Sequence, residues 1–218
     1  MKKINIVTGH YGSGKTNFSA NMAIKLASDG SKVTVVDLDI VNPYFRTADF
    51  DELFGKHSVE LIKPMYANTN LDIPAISFDL ERIATDDGYL IIDVGGDDDG
   101  ALALGRYSEA FKPFLDETEF FCVINRFRYI GDGVDECAEL IGAIEASSRM
   151  TVTQLVNNSN LGRETTPENI AEGIAFAEKV SEKSGLPIYC TACPDIIRVS
   201  EPVEYVHIYV KPVWELEE

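Results

Sequence analysis

Residues Gly9-His10-Tyr11-Gly12-Ser13-Gly14-Lys15-Thr16 bring together the groups that phosphate chemistry needs. Glycines at 9, 12 and 14 let the backbone approach an anion closely and adopt unusual φ values, so that its own N–H groups can wrap phosphate oxygens. Lys15 would place a point charge on the outer phosphates, and the Thr16 hydroxyl would complete an oxygen shell around Mg2+. Asn17 continues the same stretch. A glycine-rich turn with a chance Lys-Thr pair would look alike locally, and what separates the two is context: a strand must lead in and a helix must lead out. Two acidic segments follow. In Tyr89-Leu90-Ile91-Ile92-Asp93-Val94-Gly95-Gly96, Asp93 is a candidate to hold Mg2+ through water, and Gly96 can offer its backbone N–H to a terminal phosphate. In Val36-Asp37-Leu38-Asp39-Ile40-Val41-Asn42-Pro43, Asp39 is placed to orient attacking water or touch the metal shell.

The elements needed to position these groups are legible. Ile4 to Thr8 is a β-rich run, and residues 16 to 28 carry Phe18, Met22, Ala23 and Leu26 at helical spacing before Asp29-Gly30. The phosphate motif therefore has its strand and its helix. Further apolar strands are predicted at Lys32 to Asp37, Tyr89 to Asp93, Glu119 to Ile124, Val152 to Val156 and Pro187 to Cys190. Helical stripes run through Val134, Cys137, Ala138, Ile141 and Ile144, and through Ile170, Ile174, Ala177 and Val180. The stretch from 46 to 88 reads poorly, with helices expected at 47 to 54 and around 76 to 84. Strands alternating with amphipathic helices predict an α/β fold of three layers, a mostly parallel twisted sheet flanked by helices. With no linker or repeat, residues 1–218 are expected to form a single nucleotide-binding domain.

The order and spacing of the phosphate loop, the Asp-x-Asp-x-x-x-Pro stretch and the Ile-Asp-x-x-Gly stretch resemble the MinD/ParA branch of P-loop NTPases, the CobQ/CobB/MinD/ParA nucleotide-binding domains. The resemblance implies Mg-ATP binding and slow hydrolysis, with Lys15 and Asp39 catalytic, Thr16, Asp39 and Asp93 at the metal, and the base read near the last strands. Asn157, after Thr153-Gln154-Leu155-Val156, and the Pro194-Asp195 loop match the positions that read it. One position departs: the second, signature lysine of the family's loop, which reaches across a nucleotide-sandwich dimer, is replaced here by His10. GTP specificity normally needs an Asn-Lys-x-Asp run, and Asn157-Asn158-Ser159-Asn160 lacks it, so ATP is expected.

The whole chain narrows the choice of partners. A net charge of −17 opposes binding to a long polyanion, so nucleic acid is not expected as a partner. No stretch approaches the ~18 apolar residues of a membrane span, and no signal-peptide pattern follows Met1-Lys2-Lys3, so a soluble cytoplasmic protein with no membrane partner is expected. The leading expectation is a switch: ATP binding orders segments after Asp39 and Asp93 and alters an unidentified protein partner or an ATP-dependent homodimer. Two other readings stay open. One is an ATP-dependent small-molecule ligase or kinase related to dethiobiotin synthetase, with Arg126, Arg128 and residues 64 to 78 lining an acceptor pocket. The other is a metallocentre maturation NTPase using Cys190 and Cys193, whose spacing suits a metal or redox pair but also suits buried strand-end thiols.

Overall fold

A computed structural model describes residues 1–38, 50–62, 87–96 and 98–210. Asp39, Asp97, residues 64 to 78 and the helix expected at 76 to 84 lie outside the described residues. Eight strands are described: β1 Ile4–Gly9, β2 Val33–Leu38, β3 Val59–Ile62, β4 Tyr89–Val94, β5 Thr118–Ile124, β6 Gln154–Asn157, β7 Ile188–Pro194 and β8 Glu204–Val206. They pair in the order β3-β2-β4-β1-β5-β6-β7-β8, and every pairing is parallel. Helices among the described residues are α1 Lys15–Ser28, α2 Asp51–Lys56, α3 Asp98–Gly105, α4 Ser108–Phe111, α5 Val134–Ser148 and α6 Pro167–Ser184.

Parallel strands cannot be joined by tight hairpins, so the connections pass over the faces and both faces become buried. Side chains alternate along each strand and feed two cores. Val7, Val33, Val35, Ile91, Phe121 and Val123 pack against Phe18, Met22 and Ala23 of α1. On the other face, Ile4, Ile6, Val36, Ile92, Phe120 and Ile124 pack against Leu104, Ile141, Ile144, Phe176 and Val180. Local signals agree with this packing. Helix α6 opens on a reciprocal cap between Thr166 and Asn169, has Pro167 in its first turn, and closes on Gly185 in the left-handed region.

The strand order fixes where a ligand can sit. From β1 the chain moves to one side to make β2, β3 and β4, then crosses to build β5 to β8 on the other. The carboxyl end of β1 is thus the point where the winding reverses, the usual crevice for ligands in an open α/β sheet. Register puts Val7 beside Asp93 and Gly9 beside Val123, so the loop after β1 lies between the ends of β4 and β5. Among the described residues, no helix is long and apolar enough to cross a membrane.

Candidate functional site: a phosphate cradle at the end of strand β1

Gly9, Gly12 and Gly14 have φ of 149°, 72° and 89°, values that L side chains rarely adopt. Gly14 caps α1 from the left-handed region, with no side-chain cap and no acidic residue in the helix's first turn. The first N–H groups of α1 therefore face the loop without a carboxylate to satisfy them, the arrangement that favours an anion. Space around the loop is already full on the protein side. A methyl group on Gly9 would lie 2.2 Å from the Val123 carbonyl oxygen, and one on Gly14 would lie 2.1 Å from Asn158 Nδ2. Lys15 and Thr16 are each 5% exposed, so neither side chain extends into solvent. The Ser13 hydroxyl is buried and has no hydrogen-bond partner among the described residues.

Asp93 and Asp37 stand in register on neighbouring strands β4 and β2, and both are fully buried. Adjacent strands lie about 4.8 Å apart, so two carboxylates are brought side by side in a low-dielectric site that favours a cation between or beside them. Ser19 of α1 donates to Asp93 at 3.2 Å. Thr16 lies one turn earlier on the same helix face. A threonine hydroxyl and two carboxylates are hard oxygen donors, a set that suits Mg2+. Asp37 was missed in the sequence because it sits inside an apolar run, whereas Asp39 stands beyond it.

The remaining predicted residues divide. Gly96 touches the cradle directly: a methyl group there would lie 2.6 Å from the Gly9 carbonyl oxygen and 2.9 Å from the Tyr11 nitrogen. Tyr11 is exposed, and His10 Nδ1 contacts the Tyr11 carbonyl at 2.8 Å while its ring packs 5.5 Å from that of Tyr129. Asn157 lies fully buried with its amide already engaged. Its Oδ1 accepts from the Ser159 N–H and hydroxyl, and its Nδ2 donates to Thr191. The neighbouring Asn158 is the one that meets the cradle, donating from Nδ2 to the Ser13 carbonyl at 2.7 Å. Asn17 turns its side chain away from the loop. Together with Asn21 it forms an i, i+4 polar stripe that binds the backbone of His207, Tyr209 and Val210. Pro194 ends β7 and Asp195 follows it, bonded through Oδ2 to His207 Nδ1 at 2.9 Å.

Two arginines follow β5. Arg126 pairs with Glu172 at 3.2 Å, whereas Arg128 Nε donates to the Gly12 carbonyl at 2.8 Å. Cys190 and Cys193 are three positions apart on one strand, so they point to opposite faces of the sheet and cannot chelate one ion within the chain. Burial pushes the Cys190 thiol up to about 12 and raises that of Cys193 as well, which disfavours the thiolate that a metal needs. Among the described residues, no group of three or more His, Cys, Asp or Glu side chains is arranged to hold a metal.

Comparison with known proteins agrees with this geometry. No curated protein matches the sequence. Among solved structures the chain is similar to FtsY from Mycoplasma mycoides at 20% identity and a TM-score of 0.63, covering 89% of this chain and 61% of that one. The cell division protein FtsY from Thermotoga maritima gives 18% identity and a TM-score of 0.56, covering 89% and 63%. The 54 kDa signal recognition particle protein from Aeropyrum pernix, solved with GDP, gives 18% identity and 0.55, covering 87% and 41%. The chain thus spans less than two thirds of these relatives, and at such identities the likeness establishes the fold alone. The model of the CobQ/CobB/MinD/ParA nucleotide binding domain matches residues 4–187. With its cradle, its paired strand-end aspartates and that match over most of its length, the chain belongs to the CobQ/CobB/MinD/ParA family of P-loop nucleotide-binding domains.

Proposed function

We propose that the chain is a Mg-ATP-dependent ATPase that turns over slowly and acts as a nucleotide-operated switch on a protein partner. The contact of Gly96 with the phosphate loop carries the reading. The backbone leaving the Asp93 strand rests on Gly9 and Tyr11, so a change in what the loop holds is felt at the start of α3. Lys15 neutralises the outer phosphates, and the loop N–H groups and the first turn of α1 orient them. Thr16, Asp93 and Asp37 would hold Mg2+, with Asp39 as the further sequence candidate for the metal and for attacking water. When bound, the ion offsets charge on the phosphate oxygens. Pro194 and Asp195, at the carboxyl end of β7, are the candidates to contact the base, and the absence of an Asn-Lys-x-Asp run favours ATP over GTP.

Light scattering in Mg-ATP and then Mg-ADP, alongside hydrolysis of ATP and GTP, tests this reading. A mass change only with ATP, or slow ATP hydrolysis with an unchanged mass and an ATP-selective protein partner, supports the switch. A protein idle with ATP until a small carboxylate or alcohol is added contradicts it and indicates a ligase or kinase on the same cradle.

A further inference from the structure

We propose that Arg128 is a catalytic cation supplied within the chain: its guanidinium, anchored on the phosphate loop, stabilises charge developing on the terminal phosphate during hydrolysis. The inference rests on the nucleotide reading above and adds the residue that the family's motif would not identify. Arg128 ends the short turn Arg126–Arg128, which the Asn125 side chain caps by accepting from the Phe127 N–H at 3.0 Å. That turn leaves β5, the strand beside β1, so the arginine starts next to the cradle. Its Nε reaches the Gly12 carbonyl at 2.8 Å. A methyl group on Gly12 would lie 3.2 Å from Cζ and Nε and 3.5 Å from Nη1, so the guanidinium lies against the apex of the loop. Gly12 is needed there for its φ of 72° and for this approach.

What the guanidinium lacks is as informative as what it touches. Arg126, two residues earlier, is neutralised by Glu172. Among the described residues, no carboxylate pairs with Arg128, although the chain carries a net charge of −17. Its anchor is a neutral carbonyl that consumes one of five N–H donors, leaving the forked Nη groups for an anion. His10, which stands where the family has its signature lysine, is turned to the Tyr11 carbonyl and the Tyr129 ring. Among the described residues, the cation held on the loop from elsewhere in the chain is therefore Arg128.

Hydrolysis forms a bond from water oxygen to the terminal phosphorus. It breaks the bond from that phosphorus to the bridging oxygen, which keeps the electron pair on the diphosphate. Of the two water protons, one stays on the released phosphate and one goes to solvent. Arg128 exchanges no proton in this step. Although Arg128 is exposed, its anchor on the loop holds the guanidinium in place to offset negative charge on the transferring group, as cationic clamps on phosphoryl groups do.

Single-turnover hydrolysis with protein in excess, together with titrations of a fluorescent ATP analogue and of Mg-ADP with aluminium fluoride, tests the proposal on the whole chain. Arg128→Ala should slow hydrolysis by about a hundredfold or more while changing ATP affinity only a few-fold, and should lose the tight binding of the fluoride complex. Added guanidinium ion should restore part of the rate, and the wild-type rate per chain should not depend on protein concentration. Equal hydrolysis by Arg128→Ala and wild type would overturn the proposal. So would an equal loss of ATP and fluoride-complex affinity, which marks a structural role, or a rate per chain that rises with concentration, which marks a cation from a second copy. Failure of wild type to bind any nucleotide would overturn the underlying reading as well, and is told apart by the first titration alone.

Discussion

Replacing Gly96 with alanine should uncouple the Asp93 strand from the phosphate loop. The new methyl would sit 2.6 Å from the Gly9 carbonyl oxygen, about 0.8 Å inside ordinary van der Waals contact, and 2.9 Å from the Tyr11 nitrogen. Neither atom belongs to a side chain that can swing away. Gly9 is itself pinned, since it stands at the end of β1 against the Val123 carbonyl, so the strain must be borne or relieved by moving the cradle. Overpacking of this kind typically costs about 1–3 kcal/mol. If the cradle holds, that cost appears as lower stability, at roughly 2–4 °C of melting temperature per kcal/mol for a chain of this size. If the cradle moves, it appears as weaker nucleotide binding, where about 1.4 kcal/mol is a tenfold loss. Thermal unfolding and a fluorescent-ATP titration on the same samples capture both, with Gly142→Ala as the control. Gly142 lies within α5 with nothing within 4 Å of an added methyl, so alanine there should be neutral or stabilising by about 0.5–1 kcal/mol. A Gly96→Ala protein with wild-type melting temperature and wild-type affinity would refute the packing argument and, with it, the proposed route from phosphate to α3.

Two further outcomes are expected. Asn158→Ala should leave the buried Ser13 carbonyl without its donor, lowering the urea midpoint by the equivalent of about 1–3 kcal/mol and weakening ATP binding, whereas an exposed-site change such as Glu178→Ala should do neither. The Cys190 thiol is raised by burial from 9 to about 12, so the folded state holds its proton more tightly than the unfolded chain does. Its stabilising contribution is fully present below pH 9 and is lost as pH rises from 9 to 12. The stability of wild type relative to Cys190→Ala, followed by urea unfolding, should therefore be constant up to about pH 8 and fall above pH 9, and a flat difference would contradict the assignment.

The central strands and long helices were legible because each is a continuous apolar run or a clear helical stripe, and their observed ends differ from the expected ones by a few residues. The edges were harder. Strand β3, Val59–Ile62, is a short edge strand whose outer side needs no apolar signal, and it went unread. Residues 203 to 214 alternate apolar and polar in sequence, a strand-like pattern, but the described ladder covers only Glu204–Val206. The residues that follow, up to Val210, are held by the Asn17 and Asn21 side chains instead. Of the helix expected at 47 to 54, the described part runs over Asp51–Lys56.

The site divides in the same way. Its glycines, Lys15 and Thr16 are adjacent in sequence, and their chemistry is visible in one window. Asn158 and Arg128 reach the loop across 145 and 116 residues of chain, and only the strand order brings them there. Asn157 matches the expected base-reading position by following a strand, but its amide is engaged by Ser159 and Thr191, and the next residue, the likewise buried Asn158, makes the contact with the loop. The cysteine pair shows the same limit. A spacing that suits a metal in a loop places the two thiols on opposite faces once the segment is a strand.

The measurement that bears most directly on the account is calorimetric titration of Mg-ATP into wild type and into Lys15→Ala, with circular dichroism to confirm that both are folded. Lys15 is the buried cation of the cradle, and its removal leaves the outer phosphates without their principal counter-charge. Saturable binding to wild type, lost or weakened by at least about a hundredfold in a folded Lys15→Ala protein, is the predicted result. Equal binding by the two proteins, or no binding by wild type, would contradict the assignment of the loop after β1 as a nucleotide phosphate site.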